Sequence, residues 1–77
     1  MNHFATPLSA IAEGDRVRVR ELRTVGAMRR RLLDLGLVAG TPVCCLQKSP
    51  AGDPTAYRVR GAVVALRAED AADILVE

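Results

Sequence analysis

The sequence predicts a mostly β domain, a small barrel of about five short strands with one inserted α-helix and short helical turns. Three observations carry this. Residues 16–20 alternate arginine and valine, the period of a strand with one buried face. Met28, Leu32 and Leu35 recur at helical spacing in the one stretch where that alternation stops. Glycine- and proline-containing turn signals divide the remainder into apolar runs too short for helices. So small and twisted a sheet leaves unpaired edges unless it curls on itself, so a closed barrel is expected.

Each element has its own signal. Residues 1–6 read as a flexible N-terminus and residues 7–77 as one domain. Residues 7–11 form a lead-in or short helical turn that tucks Leu8 and Ile11 under the domain. Glu13-Gly14-Asp15 is a turn. The strand at 16–23 puts Val17 and Val19 inward and Arg16, Arg18 and Arg20 in water. Thr24 or Gly26 caps a helix whose polar side carries Arg29, Arg30 and Arg31, with Arg30 placed to pair with Asp34. Gly36 stops the helix in the left-handed conformation, with Leu37 packed back on Leu32 in a Schellman motif. After a turn at 38–41, the strand at 42–48 carries Val43 and Cys45 on one face and Cys44 and Leu46 on the other. A loop at 49–54 leads to a strand at 55–60 with Tyr57 and Val59 inward. Gly61-Ala62 suits a type II′ hairpin turn, and 63–67 returns with Val64 and Leu66 inward. A single helical turn within 67–73 and a last strand at 74–77 complete the chain.

The composition narrows the function classes. At 77 residues the chain is one domain, and such a domain buries only about 60% of the surface its unfolded chain exposes. Phe4 and Tyr57 are the only aromatic residues, which argues against proteins that stack single-stranded bases. The net charge of +2 is unevenly spread: seven arginines and one acid lie between Arg16 and Arg31, and four acids with no base follow from Glu69. That pattern suggests opposite patches or charges that meet in the fold. Nucleic acid is not expected as a partner at so low a net charge, although a nucleic-acid module is the alternative reading of the arginine-rich stretch. Cys44 and Cys45 are adjacent and point to opposite faces, so no disulfide or zinc spacing is available. The start lacks a signal-peptide pattern, and no apolar run approaches the roughly 20 residues of a membrane span, so a cytoplasmic protein is expected.

No catalytic constellation is visible. The only histidine, His3, lies in the N-terminal segment, and Ser9 and Ser49 have no base nearby in sequence. Glu69, Asp70 and Asp73 read as a solvated face, Met1-Asn2-His3 as a loose end and Cys44 as an inert thiol. No metal site and no cofactor are expected. Leu33 falls outside the apolar stripe of the helix. With Leu37 it either forms a partly exposed ridge beside Arg29 and Arg30, the composition of an interface anchor, or seals the barrel end. The candidate partner-binding residues are Arg29, Arg30, Leu33, Leu37 and, in the loop, Pro50. That ridge or an exposed strand edge would also allow weak self-association.

The stretch Arg29-Arg30-Arg31-Leu32-Leu33-Asp34-Leu35-Gly36-Leu37, followed by Gly40-Thr41, runs an arginine-rich helix into a Leu-Gly-Leu turn. With Pro7-Leu8-Ser9, Gly14-Asp15, Gly52-Asp53-Pro54, Val59-Arg60-Gly61, Ala65-Leu66-Arg67, Ala71 and Ile74, it resembles the ferrous iron transport protein A (FeoA) family from about Pro7 to Val76. The chain departs from the family pattern at Ala51 and Ala62, where bulkier residues are usual, and at Cys44 and Cys45, where charged and β-branched residues are more usual. The resemblance implies an SH3-like barrel and a cytoplasmic accessory role in bacterial ferrous iron uptake. It implies as partner a FeoB-type membrane transporter with a cytoplasmic GTPase domain, which would recruit the chain to the inner face of the membrane.

Overall fold

Buried and exposed side chains alternate along the sheet, as the sequence pattern requires. The computed structural model describes residues 5–77. In chain order the elements are β1 (Thr6–Pro7), a 3-10 turn (Leu8–Ala10), β2 (Arg16–Leu22), α1 (Gly26–Asp34), β3 (Pro42–Lys48), β4 (Thr55–Val59), β5 (Ala62–Leu66), α2 (Ala68–Ala71) and β6 (Ile74–Val76). The strands form one antiparallel sheet in the order β1-β6-β2-β3-β4-β5.

β2 makes this a barrel-like fold. Its first half, Arg16 to Arg18, pairs with β3, and its second half, Val19 to Leu22, pairs with β6. A register shift between Val19 and Glu21 lets one strand serve two directions, because a bulge bends and twists the strand that carries it. The mostly β, SH3-like class holds. The expected closure does not extend to the hydrogen bonds, since the ladder stays open between β5 and β1.

The core collects the inward residues of every strand. Val19, Val43, Cys45, Tyr57, Val59, Val64 and Leu66 are buried, together with Leu8 and Ile11 from the lead-in. The hydroxyl of Tyr57 donates to the carbonyl of Leu8 at 3.5 Å, which gives the buried phenol a partner and ties the 3-10 turn to β4.

α1 ends as its glycine predicts. Gly36 has φ of +97°, its N–H donates to the Leu33 carbonyl, and the Leu37 N–H donates to the Leu32 carbonyl, both at 3.0 Å. Those are the two bonds of a Schellman motif. They also correct one reading: Leu37, turned back over Leu32, is fully buried and belongs to the core, not to a surface ridge. At the other end the N-cap is Val25, in extended conformation with no side-chain cap, in place of Thr24 or Gly26. Arg30 and Asp34 do not pair; two exposed side chains gain little from doing so.

The β4–β5 hairpin differs by one residue from the expected turn. Val59 pairs with Ala62, so the turn residues are Arg60 and Gly61, at φ of +52° and +82°. Two left-handed residues make a type I′ turn, whose twist matches that of the strands beside it. The 49–54 loop has a structural purpose of its own. Asp53 accepts a hydrogen bond from the Ala68 N–H at 2.9 Å and so caps the first turn of α2.

Candidate interaction surfaces

Two exposed regions stand out on the framework, one on α1 and one on the outer face of the β2–β3–β4 sheet. On α1, Met28, Leu32 and Leu35 turn inward and leave Arg29, Arg30 and Leu33 outside. Leu33 is 38% exposed, and Val38, just beyond the helix stop, is 40% exposed. These two are the apolar residues the end of α1 leaves in water, with Val38 standing where the sequence suggested Leu37.

The two arginines differ. Arg29 donates from Nη1 to the Leu22 carbonyl at 3.0 Å, which clasps α1 to the end of β2. Arg30 is exposed and its side chain makes no hydrogen bond or ion pair among the described residues. Its guanidinium is therefore available to an acidic group. Pro50 is exposed on the β3–β4 loop, whose hydrogen bonds run within itself and to α2, not to α1. The structure therefore joins Arg29, Arg30 and Leu33 on one helix, assigns Leu37 to the core and leaves Pro50 on a separate element.

The second region was missed in the sequence. A groove of about 450 Å³ is lined by Pro42, Cys44 and Leu46 between Arg16, Arg58 and Arg60. Alternation alone puts each of these residues outside, but only the strand register brings them together: Cys44 pairs with Arg16 on one side and Arg58 on the other.

Neither region has the chemistry of a metal centre. Among the described residues, no three His, Cys, Asp or Glu side chains gather closely enough to hold an ion. His3 and the Met1-Asn2-His3 segment lie outside the described residues. The Cys45 thiol is pushed up by burial, with Lys48 opposing and Glu13, Cys44 and Asp15 adding to the rise, so it stays a protonated core residue. No helix among the described residues is long and apolar enough to cross a membrane.

Comparison with known proteins places this architecture. A FeoA domain model matches residues 6–77. Over 70 residues the chain is 39% identical to an Fe(2+) transport protein A/Fe(2+) transporter FeoB fusion protein of Porphyromonas gingivalis. The match covers 91% of this chain and 8% of the length of the fusion protein. The solution structure of FeoA from Chlorobium tepidum superposes with a TM-score of 0.89 at 38% identity, covering 94% of this chain and 69% of that one. FeoA of Stenotrophomonas maltophilia, solved with zinc, superposes with a TM-score of 0.82 at 28% identity, covering 97% and 91%. That protein is described as a procaryotic SH3 domain protein and a candidate ferrous iron transport activating factor.

Proposed function

This chain belongs to the FeoA domain family, and from that premise we propose that it is an accessory protein of ferrous iron uptake, docking on a FeoB-type transporter from the cytoplasmic side. The observation that carries the reading is the Porphyromonas gingivalis fusion, in which a domain 39% identical to this chain is joined to an Fe(2+) transporter in one protein. A fusion holds two parts at high effective concentration, which is useful where the separate chains act on each other.

The docking face is the outer side of α1. Leu33 supplies an apolar anchor, Arg30 a free guanidinium beside it, and Arg29 the edge, with Pro50 as a second contact on the loop. An accessory domain acts on a transporter by binding one of its conformations better than another. The bias it exerts equals that difference in affinity.

The test is ferrous iron uptake in cells of the source organism that lack this chain, complemented with wild type or with Leu33→Gln. Wild type is expected to restore uptake and the variant to fail while accumulating as folded protein. Full uptake with the variant, or with no complementing chain, would remove the α1 face or the accessory role from the account.

A further inference from the structure

Three arginines that form no ion pair among the described residues surround an apolar groove on the outer sheet face, with Glu77 beside Arg16 just outside it. Arg16, Cys44 and Arg58 lie side by side across β2, β3 and β4, so the two arginine Cα atoms are roughly 10 Å apart at the usual strand spacing. Arg60 follows at the hairpin turn, and Pro42, Cys44 and Leu46 supply the apolar lining between them. No acidic residue lines the groove. The side chains of Arg16, Arg58 and Arg60 make no hydrogen bond or ion pair among the described residues. Elsewhere the protein does use its arginines: Arg18 donates to the Gly40 carbonyl and Arg29 to the Leu22 carbonyl, both at 3.0 Å.

We propose that this groove docks an extended, acidic protein segment that carries aliphatic side chains. Carboxylates match the planar, two-pronged guanidinium, and three such groups at the edges of one groove fix where the acids go. The lining selects the rest of the ligand. A free phosphate or single carboxylate would leave Leu46, Pro42 and Cys44 uncovered in a space of about 450 Å³, whereas aliphatic side chains fill it. A nucleic acid strand would satisfy the arginines, but the groove has no aromatic ring on which a base could stack. Arg60 carries this groove up to Gly36 at the stop of α1, while Arg29, Arg30 and Leu33 lie outside its lining.

The probe is a blocked, dye-labelled octapeptide of alternating aspartate and leucine, titrated onto the full chain. Controls are an aspartate-only peptide, a lysine and leucine peptide, and a single-stranded oligonucleotide. Saturable binding of the aspartate and leucine peptide is expected, with slowed alkylation of the Cys44 thiol in the groove wall. Replacing Arg58 by Thr, or Arg16 by Ser, is expected to weaken binding about tenfold each with the melting temperature retained. The Cys44 protection is read on the unaltered chain and needs no variant to fold. Equal binding of the aspartate-only peptide would contradict the apolar lining's role. Binding that leaves Cys44 unprotected, tighter binding of the oligonucleotide, or no saturable peptide binding would overturn the proposal.

Discussion

The aliphatic stem of Arg60 lies across Gly36, so near that a Cβ placed on the glycine would collide with Cδ of the arginine. The contact joins the stop of α1 to the β4–β5 hairpin, two features far apart in sequence. Gly36 is needed for its left-handed backbone, and its missing side chain also leaves room for the Arg60 stem, which a substitution there would displace.

Gly36→Ala is expected to destabilise the domain by about 2 kcal/mol or more, since the left-handed conformation alone costs an alanine roughly 1–2 kcal/mol. Arg60→Ala should recover the part that comes from the collision. A double-mutant cycle read by urea unfolding would show a coupling of roughly 0.5–3 kcal/mol. Strictly additive effects would mean that the arginine stem does not obstruct position 36.

Asp53→Ala removes the carboxylate that caps α2 and is expected to cost about 1 kcal/mol. Asp53→Asn, which keeps an acceptor oxygen, should restore most of it. Equal losses in the two variants by thermal unfolding would assign the aspartate another role.

One thiol per chain is expected to react in the folded protein. Cys44 is half-buried in the groove wall, while Cys45 is sealed in the core and its thiol is held protonated by burial. Titration with a thiol reagent should give one fast equivalent, with the second appearing only in denaturant. Two fast equivalents would show that β3 opens readily.

Stability should fall at alkaline pH through Tyr57. Burial favours its neutral phenol and pushes the pKa up, a Cys45 thiolate formed at alkaline pH adds to the rise, and a hydrogen bond from Thr55 opposes it. The folded pKa lies above the unfolded one. Its stabilisation is therefore full below about pH 10 and is lost as pH rises through the folded value. Tyr57→Phe gives up the bond to the Leu8 carbonyl, at a cost of about 1 kcal/mol near neutrality. The gap between the two proteins in urea unfolding should narrow above about pH 10. A constant gap across that range would contradict the burial argument.

Much of this fold was legible because the sequence carries its periodicities plainly. The alternation at Arg16 to Arg20 and at Pro42 to Lys48 settles which side chains face inward, and Gly36 announces both the helix end and its two cap bonds. What alternation cannot supply is register. The shifts at Val19/Glu21 and Cys45/Gln47 depend on long-range pairing, and so does the row Arg16–Cys44–Arg58 that builds the groove. The hairpin turn moved by one residue because the arginine at position 60 takes the left-handed conformation, which side-chain preference alone does not suggest. The fate of Leu37 was open in the sequence, but the Schellman reading already pointed inward. A C″ residue that packs on Leu32 cannot also stand in an exposed ridge.

The α1 face is tested most directly by co-purification of this chain from membranes of its own organism, comparing wild type, Leu33→Gln and Leu37→Gln. Leu37→Gln buries a polar amide in the core and is expected to unfold the domain, at a cost of several kcal/mol by analogy with the roughly 2–5 kcal/mol of large-to-small core changes. Leu33→Gln is expected to leave a folded domain that no longer retains a GTPase-bearing iron transporter recovered with the wild type. Retention of the transporter by the folded Leu33→Gln protein, or its absence from the wild-type preparation, would contradict docking through α1.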